Sequence, residues 1–275
     1  KQMGARYGLA VANGTVSLHL AMVALGIGPG DEVIVPDLTF AASINTIIHT
    51  GATPVIVDVD PETWVISPET FEKAITPRTR GVMPVHVFGR PCPMTEIMDI
   101  AHRRGVYVIE DAAESHGATY DGRPVGSFGH TASYSFFGNK NITTGEGGMV
   151  LTSEAELYEH MRVLRDHGMR PERRYWHEEV GYNYRMTNMQ AAIGCAQLER
   201  LPDLLGRRAE AARTYKRHME GIPGLVFAPD MPPRFGPVTW FVCAQVPADK
   251  RAALIDACKQ NNIDLRPFFI GLSVM

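Results

Sequence analysis

From Ser133 to Gly148 the chain reads Ser-Tyr-Ser-Phe-Phe-Gly-Asn-Lys-Asn-Ile-Thr-Thr-Gly-Glu-Gly-Gly. A strand is expected to end at Ser135, an irregular turn to present Lys140, and the glycines that follow to let backbone approach whatever that lysine touches. A lone loop lysine is ordinarily a solvated charge; the company Lys140 keeps points instead to a site. Glu110 and Asp111 follow the apolar run Val106–Ile109 and so fall at the carboxyl end of a buried strand, where open α/β sheets bind ligands. The plainer reading is that one carboxylate caps the next turn. Asn13-Gly14-Thr15 lies between the first strand and its helix, where free amides and the helix dipole favour an anion, although a simple N-cap explains those residues equally well. The three elements combine into a lysine for a Schiff base, a carboxylate for a ring nitrogen, and amides with hydroxyls for a phosphate. Pyridoxal phosphate needs all three. There is no G-x-x-x-x-G-K-[ST], and no G-x-G-x-x-G follows a strand, which sets aside nucleotide hydrolysis and dinucleotide redox chemistry.

The elements that must position these residues alternate. Short Val- and Ile-rich runs predict strands at Gly8–Ala12, Glu32–Pro36, Pro54–Val57, Gly81–Val85, Val106–Ile109, Thr131–Ser135 and Met149–Thr152, several of them apolar throughout, as in a sheet covered on both faces. Helices are expected at Thr15–Leu25, Phe40–Thr50, Glu69–Ile75 after the Ser67-Pro68 start signal, and Met94–Arg104, closed by Gly105. Asp121-Gly122 predicts a hairpin that makes the sheet mixed. Beyond residue 153, Glu154–Asp166 and Thr187–Gly221 read as helices, the second broken near Pro202. The Pro-rich stretch Pro229–Pro237 follows, then Val238–Val246 and a helix Ala248–Gln260 that open a smaller α+β domain. The predicted organisation is an α/β fold with a large domain over 1–203 and a smaller one over 204–275.

Composition narrows the classes. The 275 residues are 45% hydrophobic and 21% charged, with a formal net charge of −3, which describes a globular chain without the basic stripe that binds a phosphate backbone. Nucleic acid is not an expected partner. Cys92, Cys195, Cys243 and Cys258 lie far apart, in no C-x-x-C pair and no Cys/His cluster at zinc spacing; four free thiols, no metal site and a reducing cytoplasm are expected. The longest apolar stretch, near Leu18 to Ile27, is far short of the roughly 20 residues that span a bilayer.

As a set, Asn13-Gly14-Thr15, Pro36 to Asn45, Gly51-Ala52-Thr53-Pro54 through Asp58, Glu110-Asp111-Ala112-Ala113-Glu114-Ser115-His116-Gly117, Ser135 to Gly148 and Gly181-Tyr182-Asn183-Tyr184-Arg185-Met186 resemble the sugar aminotransferases of the DegT/DnrJ/EryC1/StrS type, over nearly the whole chain. The resemblance implies the fold type I architecture of pyridoxal-phosphate transferases: a mixed, mostly parallel sheet flanked by helices, plus a smaller C-terminal domain. It implies Lys140 as the Schiff-base lysine and acid/base, Asp111 as partner of the pyridine nitrogen, and Gly14, Thr15 and Ser135 as phosphate ligands. Phe40 would stack on the ring and Glu114 would lie near the phenolic oxygen. An asparagine at the position of Asn183 would reach the neighbouring subunit's phosphate site, making the active unit a homodimer.

The loop from Arg173-Arg174-Tyr175-Trp176-His177 to Arg185, with Phe136 to Lys140, resembles most closely a branch acting on a GDP-linked sugar. It makes His177 a candidate sugar-site residue, with packing beside Trp176 as the other reading. His86 and His116 could each be satisfied core histidines. The implied reaction moves an amino group from glutamate to a nucleotide-activated keto sugar, with GDP-4-keto-6-deoxymannose as the expected acceptor. Another keto sugar or a keto-cyclitol is the alternative. Sugar dehydration is disfavoured because related dehydratases carry histidine where Lys140 stands; a non-catalytic cofactor-binding module is the reading from another class. The resemblance also implies residues missing at both ends and a segment absent between Phe269 and Ile270.

Overall fold

In a computed structural model, which describes residues 3–170 and 172–275, the chain builds a seven-stranded sheet in the order β1-β9-β8-β5-β4-β2-β3. These strands are β1 (Tyr7–Val11), β2 (Glu32–Pro36), β3 (Thr53–Val57), β4 (Thr79–Val82), β5 (Tyr107–Asp111), β8 (Thr131–Ser135) and β9 (Gly148–Thr152). β8, β5, β4, β2 and β3 run parallel. β9 is antiparallel to both β8 and β1, so the sheet is mixed, but through β9 and not through the 121–122 hairpin, whose strands belong to a separate small sheet. The hairpin predicted at Asp121-Gly122 forms as β6 (Thr119–Tyr120) and β7 (Arg123–Pro124), with Asp121 and Gly122 both at positive φ, as a two-residue type I′ turn requires.

Helices α1 (Gly14–Ala24), α2 (Ala41–His49), α3 (Pro68–Ala74), α4 (Met94–Arg104) and α5 (Ala155–Arg165) occupy the predicted intervals. α1 is the most enclosed. Ser17 through Met22 are consecutive buried residues, because α1 packs against β8, β9, α2 and α5 at once. Its Leu18, Leu20 and Met22 are each at most 2% exposed, and burying such side chains contributes roughly 1.5–3 kcal/mol apiece. Asn13 caps the helix by accepting from the Val16 amide, and Ser67 caps α3 through the Thr70 amide.

Among the shifts from the sequence reading, three concern the path of the chain around the site. β5 continues past Ile109 to Asp111, so the acidic pair lies within the strand, with Asp111 opposite Ser133. The buried Glu110 is accommodated there because its carboxylate accepts from the Gly126, Phe128 and Gly129 amides. β4 ends at Val82 rather than Val85, since Pro84 has no N–H to continue the ladder; Val85 keeps one bridge to Asp111. The stretch Val238–Val246 is not one strand. Its first part is drawn aside, with Val238 N–H bonded to Gly89 O, and only β12 (Ala244–Gln245) pairs, with β10 (Val226–Phe227). A further short strand, β11 (Phe235–Gly236), joins β6.

Helices α6 (Asn188–Glu199), α7 (Leu201–Met219) and α8 (Ala248–Gln260) complete the chain, with Pro202 at the start of α7, near the predicted break. The division expected at 203/204 falls inside α7. Among the described residues no helix is long and apolar enough to cross a membrane. All four cysteines are unpaired.

Candidate active site

The site forms where β5 and β8 end and α1 begins. Val11 pairs with Gly148, and Gly148 with Ser135, so one row of the sheet brings the chain entering α1 beside the end of β8. The approach is close. A Cβ on Gly14 would stand 2.7 Å from Ser135 Cβ, and one on Gly148 2.5 Å from the Asn13 carbonyl, so both positions need glycine. The first-turn amides of α1, which have no acceptor within the helix, therefore open next to the Ser135 hydroxyl and form an anion cradle. Ser17 and Ser133 close its floor, both hydroxyls bonding Gly14 O and touching one another.

Asp111, 6% exposed, ends β5. Its Oδ2 accepts from Ser43 Oγ at 2.8 Å and its Oδ1 from the Ala113 amide at 3.2 Å. Ser43 in turn lies 2.7 Å from Thr39 Oγ1, so the carboxylate is tied to the first turn of α2. The same turn carries Phe40 at the N-cap, the residue 59% exposed and its ring 6.0 Å from that of Phe269. An uncovered aromatic face beside a buried carboxylate is unusual in a well-packed fold.

Lys140 extends from the loop after β8, its side chain 11% exposed. Nζ lies 3.5 Å from Glu114 Oε1 and 4.0 Å from the centre of the Trp240 ring. Burial pushes the Glu114 carboxyl up to about 7, against the opposing pull of Lys140 and of the Phe88 N–H. His116 is buried between Tyr134 and Phe136, and neither ring nitrogen has a hydrogen-bond partner among the described residues. Its proton affinity drops to about 3, chiefly through burial, so it stays neutral. His86 is a satisfied core histidine: Nδ1 accepts from the Cys92 amide and Nε2 faces Glu110.

The match to a family model runs over residues 1–275, and the family is that of the DegT/DnrJ/EryC1/StrS aminotransferases. The chain belongs to this family. It is 46% identical to the GDP-perosamine synthase of Caulobacter vibrioides over 99% of its length and 74% of that protein's. It is 50% identical to the GDP-perosamine synthase of Escherichia coli O157:H7 over 81% of this chain and 61% of that one. Among solved structures it resembles S. venezuelae DesV in complex with a ketimine intermediate, with a TM-score of 0.90 and 39% identity over 96% of this chain and 70% of that chain. A Streptococcus pneumoniae protein described as a sugar aminotransferase, solved in pyridoxal-phosphate and pyridoxamine-phosphate forms, is 26% identical with TM-scores of 0.92 and 0.93, over 99% of this chain and 75–76% of that one.

Aminotransferases of this family are pyridoxal-phosphate enzymes, and the donor set here fits that cofactor. The Gly14 and Ser135 cradle would be filled by a single added Cβ, the Asp111 carboxylate is anchored, and Lys140 carries a primary amine at the same edge of the sheet. Of the residues singled out in the sequence, Gly14 lies against Ser135, Lys140 faces Glu114, Glu114 feels the charge of Asp111, and Phe40 N-caps the helix whose Ser43 bonds Asp111; Thr15 follows Gly14 in the first turn of α1.

Asn183 and His177 do not join them within the chain. Asn183 is exposed, its backbone bridged to Asp166, while the adjacent Tyr184 O accepts from the Ala12 amide at the entrance to the cradle. His177 is also exposed, with Nδ1 2.8 Å from His167 O. Four contributors went unseen in the sequence. Ser43 and Phe88 are two, and Trp240 and Arg208 are the others: Trp240 Nε1–H donates to Asn139 O, and the Arg208 guanidinium donates to Trp240 O and Lys140 O. Only Thr39 and Ser43, two small polar residues four apart at the start of an apolar helix, offered a signal.

Proposed function

We propose that this protein transfers an amino group from glutamate to a nucleotide-activated keto sugar, with GDP-4-keto-6-deoxymannose as acceptor and GDP-perosamine as product. The observation that carries the aminotransferase reading is the meeting of Lys140, Asp111 and the Gly14–Ser135 cradle at one edge of the sheet. The choice of acceptor is supported by the 46% and 50% identity to two GDP-perosamine synthases.

Gly14, Thr15 and Ser135 would hold the phosphate of pyridoxal phosphate, Phe40 its ring face, Asp111 its ring nitrogen, Glu114 its phenolic oxygen and Lys140 its carbonyl. The bound cofactor supplies a carbonyl that condenses with amines and a ring that accepts electrons from the adjacent carbon. Lys140 Nζ would anchor that carbonyl, and as a free amine the same nitrogen would be the base that takes a proton from the donor's α-carbon and the acid that gives one back. The Asp111 carboxylate, oriented by Ser43 and the Ala113 amide, would hold a proton on the ring nitrogen. Trp240 and the buried walls around Lys140 keep bulk water from the amine.

The active unit is a homodimer in this reading, with Asn183 of each chain reaching the other's phosphate cradle. Its support is Asn183, exposed to solvent, and an apolar surface in and before α6 in which Val180 is 88%, Met189 80% and Ile193 50% exposed, more than an isolated chain ordinarily leaves to water. His177 would contact the sugar nucleotide, and the unpaired cysteines suit a reducing cytoplasm.

The test is the visible absorbance of the full-length protein with pyridoxal phosphate, before and after glutamate and then GDP-4-keto-6-deoxymannose. A yellow band that bleaches with glutamate and returns with the sugar is expected. Bleaching without recovery would redirect the acceptor to another keto sugar or a keto-cyclitol. Absence of the band, with no lysine adduct trapped by borohydride, would overturn the reading.

A further inference from the structure

We propose that Glu114 is the proton partner of Lys140, taking a proton from its ammonium and holding it in a site closed to water. This goes beyond the contact with the phenolic oxygen and rests on Lys140 being the reacting amine.

The geometry is directional. Glu114 Oε2 is fixed by the Phe88 amide at 2.7 Å, which leaves Oε1 facing Lys140 Nζ at 3.5 Å. Phe88 sits at φ +54, a left-handed conformation that a phenylalanine keeps only when its surroundings impose it. The same residue supports the opposite wall: its ring lies against Trp240 at 6.2 Å and 17°, and the Trp240 face covers Nζ. The ammonium is thus held between a carboxylate and an aromatic face, with side chains of Lys140 and Glu114 only 11% and 6% exposed.

Burial, against the pull of the surrounding charges, favours an exchangeable proton over a fixed ion pair. Asp111 raises the proton affinity of Glu114, while Lys140 and the Phe88 amide lower it. The Cys243 thiol, pushed up to about 12 by burial, and the His116 imidazole are both neutral. Arg208 bonds the Lys140 carbonyl and not the Glu114 carboxylate. Burial leaves the carboxyl titrating near neutrality, where a proton carrier is most effective. In the step itself one N–H bond of Lys140 breaks and one O–H bond forms on Oε1. The lysine becomes a neutral amine and the carboxylate a neutral acid, with net charge unchanged and no co-reactant. Neutralising both groups also relieves the desolvation cost of a buried ion pair.

The test uses the cofactor-free full chain and reads the infrared carbonyl band of a protonated carboxyl as a function of pH. Wild type should show a band titrating near pH 7 that Glu114→Gln lacks. Lys140→Gln, which removes the opposing cation, should move that titration upward by about one pH unit. Glu114→Asp, should the Gln variant fail to fold, should retain a carboxyl whose titration no longer responds to Lys140→Gln. No titrating band between pH 5 and 9 in the wild-type minus Glu114→Gln difference overturns the proposal, as does a midpoint indifferent to Lys140→Gln. Either failure is distinct from failure of the transaminase reading, which would appear as a missing borohydride-trapped adduct on Lys140.

Discussion

Ser43 Oγ donates a 2.8 Å hydrogen bond to Asp111 Oδ2, and both residues are buried. Through that bond the first turn of α2, which also carries Phe40, fixes the orientation of the carboxylate at the end of β5. Hydrogen bonds to a charged partner contribute about 1.5–3 kcal/mol. Ser43→Ala should therefore lower kcat roughly tenfold or more while changing cofactor affinity much less, because the phosphate cradle is untouched. Steady-state kinetics and a cofactor titration on the same preparation separate the two. Equal losses in both would make Ser43 a general packing residue.

Lys140→Ala should abolish turnover, since anchor and base disappear together, and should leave no borohydride-reducible adduct in the mass spectrum. The fold should persist, because Nζ makes one long contact to Glu114 and one to the Trp240 ring. Transaminase rates comparable to wild type would remove Lys140 from the mechanism.

Asp111→Asn keeps the size of the side chain and a hydrogen-bonding atom for Ser43, but loses the charge that holds a proton on the ring nitrogen. Exchange of the donor's α-proton should fall by orders of magnitude, with cofactor binding affected less. Measuring deuterium washout from labelled glutamate beside a cofactor titration tests this directly. Unchanged exchange would exclude Asp111 from catalysis.

Gly14→Ala places a Cβ 2.7 Å from Ser135 Cβ, whereas Gly138→Ala, in the loop that carries Lys140, meets nothing within 4 Å. Overpacking of this kind costs about 1–3 kcal/mol. The expected outcome is a tenfold or greater weakening of cofactor affinity for Gly14→Ala and little change for Gly138→Ala, read by equilibrium dialysis. Matching affinities would mean the cradle has slack.

How far the sequence revealed this site depended on chain distance. Asp111 and Gly14 stand at a strand end and a helix start, and Lys140 in the short loop after β8, where local patterning fixes backbone position, and those junctions formed within a residue or two of expectation. Ser43 lies 68 residues from Asp111, and Trp240 lies 101 from Asn139. No spacing rule reaches across such gaps, and a lone tryptophan in an irregular stretch gives no periodic signal. β5 ran on to Asp111 because Glu110 found three backbone donors in the 126–129 turn, partners set by tertiary folding. α6 was legible as a helix, yet it buries none of its residues within the chain; periodicity reports a helix, not what covers it.

The two perturbed buried groups near Lys140 act on stability with opposite signs. His116 has its proton affinity lowered to about 3 from 6.5, so below pH 6.5 the unfolded chain binds a proton that the folded one does not, and stability is lost as the pH falls. Glu114 has its affinity raised to about 7 from 4.5, so between pH 4.5 and 7 the folded state binds the extra proton, and stability is lost as the pH rises. From pH 7 to 5 each contribution is on the order of 2 kcal/mol, and they largely cancel. Chemical denaturation of the cofactor-free chain at the two pH values should make this visible. Relative to wild type, His116→Phe should gain stability on acidification and Glu114→Gln should lose it. Two variants that track wild type across the range would mean that neither residue is buried in the protonation state assigned to it.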